Sequence, residues 1–199
     1  VDPLARKIGA ANTVIIGDDG RLGAYNTDCG GAVEAIVGGM DIEESQLKDM
    51  PVAVIGAGGV ARAIVAGLVD KGAALRIYNR TVSKAEKLAE RFGCQYGSLE
   101  ELRDMEAKLL VNCTSVGMHP RMESTPIEAE LLREDMTVFD TVYNPLETRL
   151  LREAREKGAR TISGLAMFVN QAAGQFEMFT GQRISRDFMR RIVEENLRT

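Results

Sequence analysis

The stretch Pro51-Val-Ala-Val-Ile-Gly-Ala-Gly-Gly-Val-Ala-Arg62 decides the fold of this chain. Its apolar run enters the turn Gly56-x-Gly58-x-x-Ala61, and an amphipathic helix is predicted to follow as far as about Lys71. In a dinucleotide-binding turn the first glycine permits the tight bend and the second lets a pyrophosphate approach the backbone, while the third position stays small so that helix and strand pack closely. Free N–H groups at the helix N-terminus then face the phosphates. A plain strand-to-helix connection can carry the same turn, so the surrounding sequence decides between them.

The composition excludes several classes of partner. The chain has 199 residues, 45% of them hydrophobic, and a formal net charge of −4. We therefore expect no nucleic-acid partner. We also expect no membrane partner, because no apolar run approaches the roughly 20 residues that cross a bilayer. The three cysteines, Cys29, Cys94 and Cys113, are widely spaced and form no CxxC pair. Their spacing favours a reducing, cytoplasmic compartment and predicts neither a metal site nor a disulfide framework.

From Pro51 onward, strand-like and helix-like runs alternate. The predicted strands are Val52–Ile55, Ala74–Tyr78, Lys108–Asn112, Thr137–Thr141 and Arg160–Ser163, with a short strand near Cys94–Tyr96. The predicted helices between them are Gly59–Lys71, Val82–Phe92, Leu99–Met105, Ile127–Arg133 and Glu147–Lys157. Six strands with intervening helices predict an α/β fold with a doubly wound parallel sheet in the Rossmann strand order 3-2-1-4-5-6.

Signals at the helix ends support these boundaries. Gly72, Gly93 and Gly158 each follow a predicted helix, as expected of a left-handed helix terminus. The sequences Ser98-x-x-Glu101 and Thr125-Pro126-x-Glu128 resemble capping boxes, in which two side chains satisfy backbone N–H groups at a helix start.

The two ends of the chain have a different pattern. A β-hairpin is predicted from Asn12–Gly17 and Arg21–Tyr25, which flank an Asp-Asp-Gly turn, and a helix from about Gly30 to Gly38. Residues 41–50 are polar and acidic and are predicted to be a linker, and two helices, about Leu165–Thr180 and Arg186–Leu197, end the chain. We expect residues 1–28 to be a remnant of a second α/β domain, residues 29–163 a Rossmann-like dinucleotide-binding domain, and residues 164–199 helices that return to the second domain.

The residues after the second Rossmann strand favour NADP over NAD. An NAD site usually places Asp or Glu here to hold the ribose 2′-hydroxyl. This chain has Asn79-Arg80-Thr81 instead, with Lys84 one turn further along. A guanidinium binds phosphate through two parallel hydrogen bonds, so the charge favours a 2′-phosphate. Arg80 and Lys84 could alternatively be ordinary solvated residues at a helix start.

A second polar segment, Asn112-Cys-Thr-Ser-Val-Gly-Met118, follows the fourth Rossmann strand. Open α/β sheets bind ligands just beyond the carboxyl ends of their strands, so Thr114 and Ser115 are candidates for a ligand contact. Capping of a local turn is the alternative role for the same two hydroxyl groups.

Several stretches in a fixed order resemble the shikimate dehydrogenase family. They are Ile8-Gly-Ala-Ala-Asn-Thr13, Asn26-Thr-Asp28, Gly56-Ala-Gly-Gly-Val-Ala61, Asn79-Arg-Thr81, Asn112-Cys-Thr-Ser-Val-Gly-Met118, Val142-Tyr-Asn-Pro145 and Gly164-Leu-x-Met-x-x-x-Gln171-Ala-Ala. The resemblance extends over nearly the whole chain. It implies reduction of 3-dehydroshikimate to shikimate with NADPH, in the biosynthesis of aromatic amino acids.

The resemblance also implies roles for individual residues. Substrate hydroxyls would be held by Asn12, Asp28 and Gln171, with Tyr143 nearby. The pyrophosphate would lie on Gly56, Ala57, Gly58, Gly59, Val60 and Ala61, and the adenosine phosphate on Asn79, Arg80, Thr81 and Lys84. The adenine or nicotinamide end would be lined by Thr114, Val142, Gly164 and Met167. A polyhydroxylated carboxylate fits amide and carboxylate partners, and hydride transfer fits an apolar nicotinamide pocket.

Catalysis in the family rests on a lysine that donates a proton to the carbonyl oxygen and an aspartate that holds it. Asp28 matches the aspartate, although it could also serve as an N-cap for the helix after Thr27. The family's lysine and its Ser-x-Ser carboxylate-binding pair lie upstream of the segment equivalent to Gly9–Thr13, and this sequence contains neither. Lys7 lies in a different motif. We therefore expect the chain to correspond to the C-terminal two-thirds of such an enzyme and to be weakly active or inactive alone.

Three alternatives stay open at this point. The chain could be a quinate/shikimate-type dehydrogenase, another two-domain enzyme such as methylenetetrahydrofolate dehydrogenase, or a noncatalytic NADP-binding module. A pure cofactor-binding module has no need of Asp28 and Gln171, which favours an enzyme. Unpaired hairpin edges and apolar helix faces would further favour self-association, for which a homodimer is the simplest form.

Overall fold

The computed structural model describes residues 1–197, which form seven α-helices, eight strands and short 3₁₀ turns. The helices are α1 (Pro3–Ile8), α2 (Asp28–Met40), α3 (Gly59–Asp70), α4 (Val82–Phe92), α5 (Arg149–Glu156), α6 (Gly164–Thr180) and α7 (Arg186–Leu197). The strands are β1 (Thr13–Ile16), β2 (Leu22–Tyr25), β3 (Pro51–Ile55), β4 (Ala74–Tyr78), β5 (Gln95–Gly97), β6 (Leu109–Asn112), β7 (Thr137–Asp140) and β8 (Arg160–Ile162).

The central sheet has six parallel strands in the order β5-β4-β3-β6-β7-β8, which confirms the predicted Rossmann order. The register places Ile55, the last residue of β3, opposite both Tyr78 and Asn112. The loops after β3, β4 and β6 therefore leave the sheet side by side. Strand order reverses between β3 and β6, and this reversal opens the crevice in which such sheets bind ligands.

The core lies on both faces of the sheet, because its central strands are apolar on both sides. On one face, Val54 and Val111 pack in a cluster with residues of α2, α3 and α4. On the other face, Ala53, Leu110 and Val138 pack in a cluster with residues of α5. This burial holds the carboxyl ends of the strands in a fixed arrangement.

The Gly56–Ala61 turn has the geometry expected of a dinucleotide-binding loop. Gly56 has φ +113°, and a Cβ there would lie 3.1 Å from the carbonyl carbon of Cys113. A Cβ on Gly58 or Gly59 would meet no atom within 4 Å, so the space above the turn is open to a ligand. Ala61 is fully buried, which agrees with the requirement for a small residue where α3 packs on the sheet.

Helix α6 approaches α2 closely enough to require glycine at the contact. A Cβ on Gly31 of α2 would lie 2.9 Å from the backbone nitrogen of Gln171 in α6. On the other side of α2, a Cβ on Gly67 of α3 would lie 2.8 Å from a methyl group of Val33. Small residues therefore set the positions of three packed helices, one of which, α6, carries Gln171.

The N-terminal segment is anchored to the Rossmann helices. Arg62 Nη1 donates to the carbonyl of Gly9 at 3.1 Å, and Arg91 Nη2 donates to the carbonyl of Lys7 at 2.9 Å. The ammonium group of Lys7 pairs with Asp70 at 2.9 Å. The predicted hairpin is confirmed as β1 and β2, paired antiparallel.

Helix α1 was not predicted, although its sequence carries a start signal. The Asp2 carboxylate accepts from the backbone nitrogen of Leu4 at 2.8 Å, and Pro3 occupies the first helical position. The helix has only six residues, too few to show an apolar period.

The region before β7 differs from the prediction. In place of a helix over Ile127–Arg133, the chain forms a 3₁₀ turn, Ala129–Leu131, between extended residues. Ile127 and Leu132 are both buried, 4% exposed each. Residues five apart on an α-helix would point about 140° away from each other, so an extended chain buries this pair better. The predicted capping box at Thr125 is wrong, because the Thr125 hydroxyl donates to the carbonyl of Ile127 instead.

Other predicted boundaries are confirmed with small shifts. The Ser98-x-x-Glu101 capping box is present, but the element that it starts is a 3₁₀ turn, Leu99–Asp104, rather than an α-helix. Gly72, Gly93 and Gly158 all have the predicted positive φ. The segment predicted as a linker contains a 3₁₀ turn, Glu44–Leu47, whose Leu47 is fully buried. Within residues 1–197, no helix has the length and apolarity needed to span a bilayer.

Candidate active site

A cavity of about 220 Å³ lies beside α6, at the carboxyl edge of the sheet, and we call it the α6 cavity. It brings together residues from the N-terminal segment, the phosphate turn, the loop after β7 and α6 itself. Its lining residues are Asn12, Asp28, Val60, Thr141, Tyr143, Gly164, Met167, Phe168, Gln171 and Gln175.

The amide of Asn12 is the centre of the polar side of this cavity. Its nitrogen donates to the Asp28 carboxylate and to the Thr27 hydroxyl, both at 2.9 Å, and lies 3.4 Å from Gln171 Oε1. Its oxygen accepts from the backbone nitrogen of Thr27 at 2.9 Å. Three residues predicted to bind one substrate, from three distant parts of the sequence, therefore form one hydrogen-bonded group.

Asp28 supplies a carboxylate to the α6 cavity. Burial raises the pKa of its carboxyl, and the hydrogen bond from Asn12 partly offsets that rise. The alternative role of Asp28 as an N-cap is wrong, because Asp28 is the first residue of α2 and its carboxylate accepts from Asn12. The Asn26 side chain instead accepts from the backbone nitrogen of Cys29 at 3.0 Å at this helix start. The Asp28 carboxylate is therefore free to serve the cavity.

Two further residues of α6 reach the cavity and were not predicted. Gln175 Nε2 donates to the Thr13 hydroxyl at 3.1 Å, and Phe168 stacks on Tyr143 with ring centroids 4.4 Å apart. Both lie on the helix face of Gln171, three residues before it and four after it, so helical periodicity could have identified them.

The loop after β7 and the start of α6 together form one wall of the α6 cavity. Gly164 lies against this loop, because a Cβ there would come within 2.5 Å of the carbonyl oxygens of Thr141 and Val142. Thr141, Gly164 and Met167 line the α6 cavity, whereas Val142 is buried and is not a lining residue. Met167 is 5% exposed.

A buried polar network holds the loops at the carboxyl edge of the sheet. Asn112 Nδ2 donates to Asp140 Oδ1 at 2.9 Å, and the Thr148 hydroxyl donates to Asp140 Oδ2 at 2.6 Å. Asn112 Oδ1 accepts from the Thr114 hydroxyl at 2.7 Å, and the Val142 nitrogen donates to Asp140 Oδ1 at 3.1 Å. Burial raises the pKa of Asp140 to about 6, despite these donors. The alternative role of Thr114 as a turn cap is also realised, since its hydroxyl accepts from the nitrogen of Val116 at 3.2 Å.

A second cavity, of about 510 Å³, lies where β4 and β6 end, and we call it the Arg80 cavity. Its lining residues are Ile55, Asn79, Arg80, Leu99, Thr114, Ser115, Val116, Gly117, Arg121, Ser124, Thr125 and Pro126. Thr81, the N-cap of α4, and Lys84, in the first turn of that helix, are exposed and are not among the lining residues. Arg121 was not predicted, because its position in a loop carries no periodic signal.

Both cavities are lined by residues in or next to the phosphate turn, and this arrangement fits a dinucleotide. Ile55, just before the turn, lines the Arg80 cavity, and Val60, within the turn, lines the α6 cavity. No carboxylate lines the Arg80 cavity among the described residues, whereas an NAD-type site would place one at the end of β4. The donor set therefore fits an adenosine phosphate in the Arg80 cavity and a nicotinamide near Met167.

The fold and these two cavities define the chain as a dinucleotide-binding α/β protein of the dehydrogenase type. Two sequence models match it: "Shikimate / quinate 5-dehydrogenase" over residues 40–142 and "Shikimate 5'-dehydrogenase C-terminal domain" over residues 164–194. The chain belongs to the shikimate dehydrogenase family.

Curated relatives and solved structures agree on the family. The shikimate dehydrogenase (NADP(+)) of Methanosarcina mazei is 43% identical over 98% of this chain, which spans 72% of that protein. A chloroplastic bifunctional 3-dehydroquinate dehydratase/shikimate dehydrogenase of Arabidopsis thaliana is 46% identical over 91% of this chain, which spans 32% of it. The shikimate 5-dehydrogenase of Thermus thermophilus, solved with NADP(H) and shikimate, has a TM-score of 0.86 and 40% identity, and the match covers 98% of this chain and 71% of that one. The Methanosarcina relative is named as an NADP(+) enzyme and the Thermus structure contains NADP(H) and shikimate, which agrees with the cofactor and substrate that the resemblance implied.

Proposed function

We propose that this chain provides the NADP site and part of the substrate site for the reduction of 3-dehydroshikimate to shikimate. The observation that carries the proposal is the hydrogen-bonded group of Asn12, Asp28 and Gln171, which lines one cavity with Val60 of the phosphate turn. A module that only binds cofactor has no use for half-buried polar groups at this position.

In this proposal the α6 cavity binds the hydroxyl groups of the substrate. Asp28 accepts hydrogen bonds from them, while Asn12 and Gln171 each offer both an amide donor and an amide acceptor. Tyr143 is 38% exposed, and its ring is held by stacking on Phe168. In this position it covers the outer side of the substrate ring. The hydrogen bond from Asn12 orients the Asp28 carboxylate before substrate arrives.

In this proposal, NADP is held by residues of the phosphate turn and of the loops after β4 and β6. Gly56, Ala57, Gly58, Gly59, Val60 and Ala61 hold the pyrophosphate, and Asn79, Arg80, Thr81, Lys84 and Thr114 serve the adenosine end. NADPH supplies the hydride when bound. Gly164 and Met167, as lining residues of the α6 cavity, exclude water from the nicotinamide end. Buried Val142, next to the lining residue Thr141, contributes to the same end of the cofactor site.

Proton donation needs a partner for Asp28. No lysine or arginine is among the lining residues of the α6 cavity in the described part of the chain. Lys7 is held by Asp70, at 2.9 Å, on an exposed surface. The role proposed for Asp28 is therefore to hold a lysine that approaches this cavity and to tune its pKa. Residues 1–199 alone should bind NADP+ and shikimate but reduce 3-dehydroshikimate only slowly.

The test separates binding from turnover. Calorimetry should detect NADP+ binding to the chain, and shikimate binding should weaken in D28N and Q171A. Q182A is the matched control for the second variant, because Gln182 is exposed beyond the end of α6. Shikimate affinity that is the same in wild type, D28N and Q171A would contradict the substrate assignment.

A quinate-type activity is the second candidate, because one matching family description includes quinate 5-dehydrogenase. The unpaired arginines of the Arg80 cavity favour NADP, which distinguishes the main proposal from an NAD-linked quinate enzyme. Competition between shikimate and quinate for the same chain, measured with NADP+ present, decides between the two substrates.

Location and assembly complete the proposal. All three cysteines are free thiols, which supports a reducing compartment such as the cytoplasm. Val14, Ile16 and Leu22 of the hairpin are 55%, 71% and 68% exposed, which supports self-association as a homodimer. Light scattering that finds only monomers at high concentration would contradict the dimer.

A further inference from the structure

The Arg80 cavity contains a second arginine that faces the same space from another loop. Arg80 follows β4, whereas Arg121 belongs to the long loop after β6. Both line the cavity, and they are its only charged lining residues within the described part of the chain. Two like charges that share a cavity repel each other unless an anion lies between them.

Neither arginine has an acidic partner in the described residues. The side chains of Arg80 and Arg121 take part in none of the ion pairs and none of the side-chain hydrogen bonds found there. Nearby arginines differ, since Arg76 pairs with Glu101 and Arg149 pairs with Glu153. The guanidinium donors of Arg80 and Arg121 are thus available to a ligand.

The loop that carries Arg121 is held at several points. Arg149 Nη1 donates to the carbonyl of Glu123 at 2.9 Å, and the His119 nitrogen donates to the carbonyl of Asn144 at 3.0 Å. The Arg121 nitrogen itself donates to the carbonyl of Met118 at 3.0 Å, within a tight turn. The position of Arg121 is therefore set by the fold.

The rest of the cavity suits an adenosine. Ile55, Leu99 and Pro126 supply apolar surface of the kind that packs on a base, and Ser115 and Ser124 supply hydroxyl groups that can donate to phosphate oxygens. A ligand with an apolar ring and a doubly charged phosphate satisfies all of these groups together.

We propose that Arg121 is a second phosphate-binding guanidinium, which with Arg80 encloses the 2′-phosphate of NADP and determines the preference for NADP over NAD. The inference rests on the proposed function, because it assumes that the Arg80 cavity holds the adenosine end. It adds a specificity-determining residue from the loop after β6, separate from the Asn79-Arg80-Thr81 segment that follows β4.

The test uses two probes that differ only in the 2′-phosphate, adenosine 2′,5′-bisphosphate and adenosine 5′-monophosphate, with calorimetry on the whole chain. R121A should weaken binding of the bisphosphate about tenfold or more, the usual size for a lost charge-assisted hydrogen bond. Binding of the monophosphate should be almost unchanged. R121K should retain part of the affinity, because it keeps the charge but not the two parallel hydrogen bonds.

Two controls keep the outcomes distinct. R103A removes an exposed arginine of the neighbouring 3₁₀ turn that is not a lining residue of the cavity, and it should bind both probes like wild type. If R80A weakens the bisphosphate and R121A does not, the role of Arg121 is wrong and the cofactor site stands. If wild type fails to prefer the bisphosphate, the proposed function itself is wrong. Equal losses of both probes in R121A would also overturn the specificity role.

Discussion

The side-chain amide of Asn112 donates a 2.9 Å hydrogen bond to the carboxylate of Asp140, and both residues are fully buried. One residue ends β6 and the other ends β7, so the pair joins two loops that line different cavities. Asn112 also binds the Thr114 hydroxyl, and Asp140 binds the nitrogen of Val142. A buried charge is stable only when its acceptor sites are satisfied, so this pair restricts both loops to one arrangement.

Replacing Asp140 by Asn should change how stability depends on pH. Burial raises the pKa of Asp140 from 3.8 to about 6, so the folded chain binds this proton more tightly than the unfolded chain. Protonation therefore favours folding below about pH 4, and that contribution is lost as the pH rises through about 6. The loss is on the order of 3 kcal/mol. Urea unfolding of wild type and D140N across this range measures it.

D135N is the matched control for this prediction. The pKa of exposed Asp135 is lowered by hydrogen bonds from Lys108 and Arg133. Its contribution to stability has the opposite sign, because it is present at neutral pH and is lost as the pH falls. A difference between wild type and D140N that stays constant across the range would show that the pKa of Asp140 is not raised.

Replacing Gly31 by Ala should destabilise the fold and disturb Gln171. The new methyl group would lie 2.9 Å from the Gln171 nitrogen, so α2 and α6 must move apart. We expect a loss of about 1–3 kcal/mol and weaker shikimate binding. Chemical denaturation and calorimetry measure the two effects.

The neighbouring glycine provides the control for that substitution. A Cβ on Gly30, also in α2, would meet no atom within 4 Å. G30A should therefore stabilise the helix by about 0.5–1 kcal/mol. If both variants have the same stability, the close approach of α2 and α6 is not a constraint.

Replacing Asn12 by Ala should raise the pKa of Asp28 further. The Asn12 hydrogen bond lowers this pKa, while burial raises it, so its removal leaves the effect of burial unopposed. Shikimate affinity should fall about tenfold, as for one lost hydrogen bond to a charged group. A carbon NMR titration of the Asp28 carboxyl measures the first effect. Q95A, at an exposed residue of β5, should change neither quantity.

Replacing Lys7 by Ala should leave turnover of the 199-residue chain as weak as in wild type. Lys7 and Asp70 are 53% and 60% exposed, and an ion pair of this kind contributes at most about 1 kcal/mol to stability. Steady-state oxidation of NADPH with 3-dehydroshikimate measures turnover. Strong activity in wild type that K7A abolishes would make Lys7 the proton donor and refute the role assigned here.

The sequence by itself determined the Rossmann unit. The alternation of apolar strands with capped helices after Pro51 predicted all six strands and their order, because period and turn chemistry are local properties. The ordered motifs likewise predicted Asn12, Asp28 and Gln171 as members of one site. The domain division and the individual residue roles stay predictions.

Only the tertiary structure decided the contacts between distant segments. The hydrogen bonds of Asp140 with Thr148 and Asn112 depend on how β6, β7 and α5 pack, and no local pattern marks them. The placement of Arg121 in the cavity of Arg80 depends on a loop that lacks any period. The extended chain through Ile127 and Leu132 follows from burial against the sheet, which outweighed the local preference for a helix. Local chemistry sets elements and turns, whereas burial and charge pairing across the fold set the site.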